Sequence, residues 1–183
     1  MQKNNWKVHI TPHALIVAAV LLLVIPFEWL MAWLIAAGVH EVCHCLAVIL
    51  CRKHIQGLLI GIDGAKIQTE PLSYGQTVFC SLAGPFGGFT LTVFTQQFPQ
   101  LALCGFLQSV FNLIPVYPLD GGRALNAITH LIFPESAAIR INKAVSIVIM
   151  ITMCLLCLQV SCVLHTFLPL VVPFLLFLQH RRK

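Results

Sequence analysis

The chain has 183 residues, of which 58% are hydrophobic and only 9% charged, and its mean hydropathy is +0.90. Soluble domains carry about 25% charge, so a soluble globular domain is excluded, and the same composition excludes a disordered chain. A net charge of +5 over this length makes no basic face, which argues against a nucleic-acid partner and leaves a polytopic membrane protein embedded in a lipid bilayer.

A short tail with Lys3 and Lys7 leads into the first apolar run, residues 12–27. No small-residue cleavage site follows it; Pro26, Phe27, Glu28 and Trp29 come next, so it reads as a span and not as a signal peptide. The second run, 29–51, ends at Arg52, Lys53 and His54 and contains His40, Glu41 and His44. Residues 57–62 then read as a short strand, Asp63-Gly64 as a two-residue hairpin turn, and 65–69 as an alternating return strand. The third run is 77–98 and the fourth 101–119. The last uncharged stretch, 144–179, has 36 residues. One helix of that length would rise about 54 Å, well beyond a hydrocarbon core of ~30 Å, so two spans with a break near His165 fit better.

The expected architecture is therefore all-α and polytopic, with about six transmembrane helices and a short membrane-associated β-hairpin between the second and third. It forms a single domain over residues 1–183. Charge supports this count. With the N-terminus in the cytoplasm and alternating spans, all 11 lysines and arginines fall on the cytoplasmic side, as the positive-inside rule requires. Both termini are then cytoplasmic in a multi-pass protein of the cell membrane. Trp6, Trp29 and Trp33 lie near span ends and read as interfacial anchors. The eight cysteines fall almost entirely in apolar runs and read as packing residues, Cys154 and Cys157 included. Gly84, Gly87 and Gly88 read as sites of close helix packing.

His40-Glu41-Val42-Cys43-His44 is an H-E-x-x-H motif. On a helix, positions i and i+4 share one face, so both imidazoles can reach one metal ion. Glu41 stands beside them and can take a proton from an attacking water. It is also the only acidic residue in the second span, and an ionisable group inside a bilayer is costly enough to suggest function. Zinc catalysis wants three protein ligands and an open position, so two histidines are not sufficient. Of the remaining acids, Glu28 is on the outer side, Asp63 fits the hairpin turn, and Glu70 and Glu135 sit in polar connections. Asp120 lies at the inner end of the fourth span, after Pro115 and Pro118 and before Gly121 and Gly122. The prolines cannot both continue a helix and the glycines leave the backbone free to turn, so Asp120 is expected on irregular backbone lining a cavity. His40 and His44 stand roughly 12 to 18 Å from the Arg52 end of their span at 1.5 Å per residue. Asp120 approaches the same leaflet, which places the site nearer the cytoplasmic side.

H-E-x-x-H in one span and Asn112-x-x-Pro115-x-x-Pro118-Leu-Asp120-Gly-Gly in a later one resemble the site-2 protease family of intramembrane zinc metalloproteases. The branch most similar is the sporulation stage IV FB type, and the similarity extends over nearly the whole chain; Ala83-Gly84-Pro85 also matches a family motif. The resemblance implies that His40, His44 and Asp120 hold one Zn2+ per chain, that Glu41 is the catalytic base, and that Asn112 lies beside the substrate or the site. It implies intramembrane endopeptidase activity on a membrane-embedded or membrane-tethered protein, such as a pro-sigma factor or another regulator, with regulatory or inhibitory membrane proteins as further partners. It also suggests that the hairpin offers an edge to an extended substrate. Cys43 stands where relatives often have Gly, and Gly88 where many have Asn. No CBS or PDZ domain is expected within these residues. Two readings compete with the protease: a small metal transporter, which would need a polar path through both leaflets, and a non-catalytic scaffold of the same fold.

Overall fold

The computed structural model describes residues 7–10, 25–61 and 64–164. It comprises two compact units, residues 1–111 and 112–183. In the first, strand β1 (Lys7–Ile10) precedes helix α1 (Phe27–Leu50), strands β2 (Ile55–Gly61) and β3 (Gly64–Thr69), and helix α2 (Tyr74–Thr90). A 3-10 turn (Leu91–Phe94) and helix α3 (Pro99–Asn112) follow. In the second unit, helices α4 (Asp120–Ile132) and α5 (Glu135–Leu164) form an antiparallel pair.

Helix α1 shows why these helices face lipid. Its buried positions include Ala32, Ala36, His40, His44 and Ala47, which recur about every four residues on one stripe. Leu34, Ile35, Val42, Leu46 and Ile49 are exposed on the others. Small residues inside and large apolar residues outside invert the pattern of a soluble helix and suit close packing among helices with a lipid-facing rim. The helix ends in a Schellman closure. Arg52 takes φ 56°, its N–H donates to the Ile49 carbonyl at 2.8 Å, and the Lys53 N–H donates to the Val48 carbonyl at 3.2 Å. Helix α2 begins in a capping box: the Gln76 N–H donates to Ser73 Oγ at 3.3 Å and the Ser73 N–H to Gln76 Oε1 at 3.0 Å. Gln76 Nε2 also donates to the Cys51 carbonyl at 3.4 Å, which ties the start of α2 to the end of α1. Behind that tie, Ala47, Val48 and Cys80 form a small core covered by Cys51, Ile55, Leu72 and Ala83.

The strands form one sheet of order β1-β2-β3. β2 and β3 pair antiparallel, with Gly61 opposite Gly64, and β1 pairs parallel to β2, with Lys7 opposite Gly57. In the second unit, residues 113–119 are irregular. Val116 is completely buried there, its N–H bonds the Ile114 carbonyl and its carbonyl accepts from the Leu119 N–H; the Tyr117–Pro118 peptide is cis. Asn142 of α5 donates to Asn126 Oδ1 at 2.9 Å and to Thr129 Oγ1 at 2.8 Å on α4, a polar clasp between the two helices.

The architecture corrects the six-span expectation. Among the described residues three helices are long and apolar enough to cross a membrane: Phe27–Leu50, Tyr74–Phe94 and Glu135–Val163. The chain is a multi-pass membrane protein. The expected fourth span, 101–119, is not a span: α3 has 14 residues and rises only about 21 Å at 1.5 Å per residue, short of a ~30 Å core. Apolar composition continues beyond it, but Pro115 and Pro118 stop the helix. The helix expected from residue 144 already starts at Glu135 and runs through the charged residues Arg140 and Lys143. The membrane-associated hairpin is also corrected, because β2 and β3 are two strands of a three-stranded sheet completed by β1; a strand 45 residues away leaves no periodic signal beside them. The expected first span, 12–27, lies outside the described residues up to residue 24, as do the break near His165 and the final span.

Candidate metal centre

His40 and His44 stand one turn apart on the buried face of α1, 3% and 9% exposed. Their Nε2 atoms are 3.1 Å apart, and the rings meet edge-on, with centroids 4.7 Å apart and planes at 83°. Two ligands of a tetrahedral zinc ion, each at 2.0–2.1 Å, would be separated by about 3.3 Å. The histidine pair therefore already stands close to ligand spacing. His44 Nδ1 lies 2.7 Å from the Cys80 carbonyl of α2. A carbonyl only accepts, so Nδ1 carries the proton and donates, which leaves the Nε2 lone pair of His44 turned toward His40.

Asp120 is the first residue of α4, buried, with Leu119 at the N-cap. A carboxylate is favoured at that helix end by the backbone dipole. The ligand-capable atoms of His40, His44 and Asp120 all lie within 4.8 Å of one another, and all three residues are buried. Two neutral imidazoles and one carboxylate away from water are costly unless a cation offsets the charge. As a donor set, two nitrogens and one oxygen suit a tetrahedral zinc with one position open.

Helix α2 packs against the histidine pair at Gly84. A Cβ built on Gly84 would stand 2.7 Å from His40 Nε2, 2.6 Å from His44 Cε1, and nearer still to His44 Nε2. The absence of a side chain lets α2 lie directly against both imidazole tips without pushing them from ligand spacing. The donor set fits a divalent ion.

Glu41 follows His40 on α1 and is half-buried. Asn112 is the last residue of α3, also half-buried, and does not belong to the ligand cluster. Asp120 was expected on irregular backbone; it sits instead at the first position of a helix, directly after the irregular stretch. The two glycines after it were expected to turn the chain and do something else. Both are helical, and a Cβ on Gly121 would run into the Leu113 and Ile114 carbonyls, one on Gly122 into Val116 and Tyr117 backbone. They let the first turn of α4 press on the preceding loop and so hold Asp120 in place. Sequence reasoning missed the Cys80 carbonyl, since any residue supplies one; it read Gly84 as a packing glycine that, with Pro85, also shapes the cavity.

The sequence profile of peptidase family M50 matches residues 71–157, just under half of the chain, a stretch that holds Gly84 and Asp120 but not the H-E-x-x-H helix. Among solved structures, the site-2 protease from Methanocaldococcus jannaschii superposes with a TM-score of 0.66 at 18% identity, covering 94% of this chain and 90% of that one. The fold is that of a site-2 protease. No curated protein gives a significant sequence match. The helices that carry the metal-capable His40, His44 and Asp120 cluster are thus part of an intramembrane metalloprotease fold.

Proposed function

We propose that the protein is an intramembrane zinc metalloendopeptidase that hydrolyses a peptide bond of a membrane-embedded or membrane-tethered protein. The observation that carries this reading is the buried His40, His44 and Asp120 cluster, with Glu41 beside it on a helix long and apolar enough to cross the membrane. In this reading residues 1–183 act as a single catalytic domain.

His40, His44 and Asp120 hold the ion. Zinc bound there would supply Lewis acidity, making water a nucleophile near neutral pH and polarising the scissile carbonyl. The Cys80 carbonyl holds the His44 ring in the tautomer that ligation needs. Glu41 takes the proton from the attacking water and returns it to the leaving amine. Asn112 lies beside the substrate or the site. Surrounding apolar helices keep bulk water away from the donors, which strengthens every charge interaction among them.

The match of Asn112, Pro115, Pro118 and Asp120 to the sporulation branch of site-2 proteases supports a pro-sigma factor or another membrane-tethered regulator as the substrate. Membrane proteins that cover the site would then control it. Lys3 and Lys7 near one end of the sequence, Arg181, Arg182 and Lys183 at the other, and Arg52 and Lys53 directly after α1 support cytoplasmic termini and a site nearer the cytoplasmic leaflet. The test is Glu41→Gln. It should retain metal at the wild-type level and lose cleavage of a membrane-tethered substrate by about 10²-fold or more. Cleavage at the wild-type rate would refute Glu41 as the base.

A further inference from the structure

We infer that Gly84 positions the metal ligands: only a residue without a side chain lets α2 lie against both imidazole tips while they keep ligand spacing, and any side chain there displaces them and loses the ion. This rests on the metalloprotease reading and adds a determinant that lies outside the ligand set.

The argument turns on what a side chain at Gly84 would meet. A glycine that serves only helix packing has a neighbour's backbone or side-chain body in the way, as at Gly87, where an added Cβ would run into Cys43 and stand 3.6 Å from the Val39 carbonyl. At Gly84 the three nearest atoms are all imidazole tips: Nε2 and Cε1 of His44 and Nε2 of His40. No backbone atom is among them. A methyl group at Gly84 would therefore overlap the two lone-pair atoms that would bind an ion and push both rings from their ligand positions. Zinc–nitrogen bonds of 2.0–2.1 Å leave no slack for such a shift.

The same geometry predicts what is lost. The atoms in the way belong to side chains and not to backbone, so the fold can take a methyl group by turning the rings, at the expense of the His44 bond to the Cys80 carbonyl. With the rings turned, neither Nε2 keeps its ligand position. An alanine at position 84 should therefore leave the protein folded, with a modest loss of stability, and abolish the metal site. Pro85, inside α2 and buried, reinforces the device: it has no N–H for the Ser81 carbonyl and loosens that turn of helix, next to the Cys80 carbonyl that holds His44.

The experiment compares wild type with Gly84→Ala in detergent, both stripped of metal and then titrated with Zn2+ and, separately, with Co2+. Three quantities are read: metal per chain, the visible absorption of tetrahedrally bound cobalt, and the melting temperature with and without metal. Wild type should take up about one ion per chain, show the cobalt band, and melt several degrees higher when loaded. Gly84→Ala should stay cooperatively folded, melting within several degrees of the metal-free wild type, hold less than about a tenth of an ion per chain, and show neither band nor thermal shift. Wild-type metal uptake by Gly84→Ala would overturn the inference while leaving the protease reading intact. So would collapse of the metal-free Gly84→Ala fold, which would make Gly84 a packing glycine. A folded wild type that takes up no metal would overturn the protease reading and this inference with it.

Discussion

Gly87→Ala should separate the helices that build the histidine site, and Cys43→Ala should bring them back together. A Cβ on Gly87 would lie 3.0 Å from Cys43 Cβ and closer still to its Sγ. Overpacking of this kind costs about 1–3 kcal/mol. Alanine is also the better helix former by about 1 kcal/mol, so the single variant should lose up to about 2 kcal/mol net. Removing the Cys43 thiol alone leaves a small void and costs about 1 kcal/mol. In the double variant the new methyl occupies the space the sulfur leaves, the helix-propensity gain remains, and stability should return to at least the wild-type value. The coupling between the two sites, the overpacking relieved plus the void filled, should then be about 2–4 kcal/mol in favour of the double variant. Reversible unfolding of all four proteins in detergent, followed by circular dichroism, gives the cycle. A double variant as unstable as the sum of the singles would refute close packing of α1 and α2 at this level.

Three further outcomes follow from the geometry. Gly121→Ala would meet the Leu113 and Ile114 carbonyls, backbone atoms with little freedom to yield; it should cost about 3 kcal/mol and reduce metal content by displacing Asp120, read by melting and metal analysis. Asn142→Ala removes the bonds to Asn126 and Thr129 and should destabilise the α4–α5 pair by about 1 kcal/mol in an unfolding titration. Arg52→Gly should stabilise the protein by about 1 kcal/mol, since Arg52 occupies the left-handed region at φ 56°, where a Cβ is penalised; no change in melting temperature would argue against that conformation.

The site was legible in the sequence further than the fold. His40 and His44 are one helical turn apart in a single helix, and local spacing alone puts them on one face. Asp120 was reachable because it is the one acid held between helix-stopping prolines and glycines, although its place at the start of α4 was not. The count of spans failed where composition and helix length part company: residues 101–119 are uncharged throughout and mostly apolar, yet only the portion up to Asn112 is helical, because a helix ends where proline removes its hydrogen bonds and not where polarity begins. Strand β1 was invisible for a different reason. Its pairing with β2 is a contact between distant segments, and four residues beside a charged tail carry no periodicity of their own. The Cys80 carbonyl and the close approach at Gly84 belong to backbone placement, which residue types record only indirectly.

Zinc content tests the central claim most directly, because it needs no substrate. Detergent-purified wild type and His44→Ala should be compared after identical metal loading and dialysis. The account predicts about one zinc per chain in the wild type and near none in His44→Ala. A folded wild type that retains no zinc after loading, or a His44→Ala variant that retains as much, would contradict it.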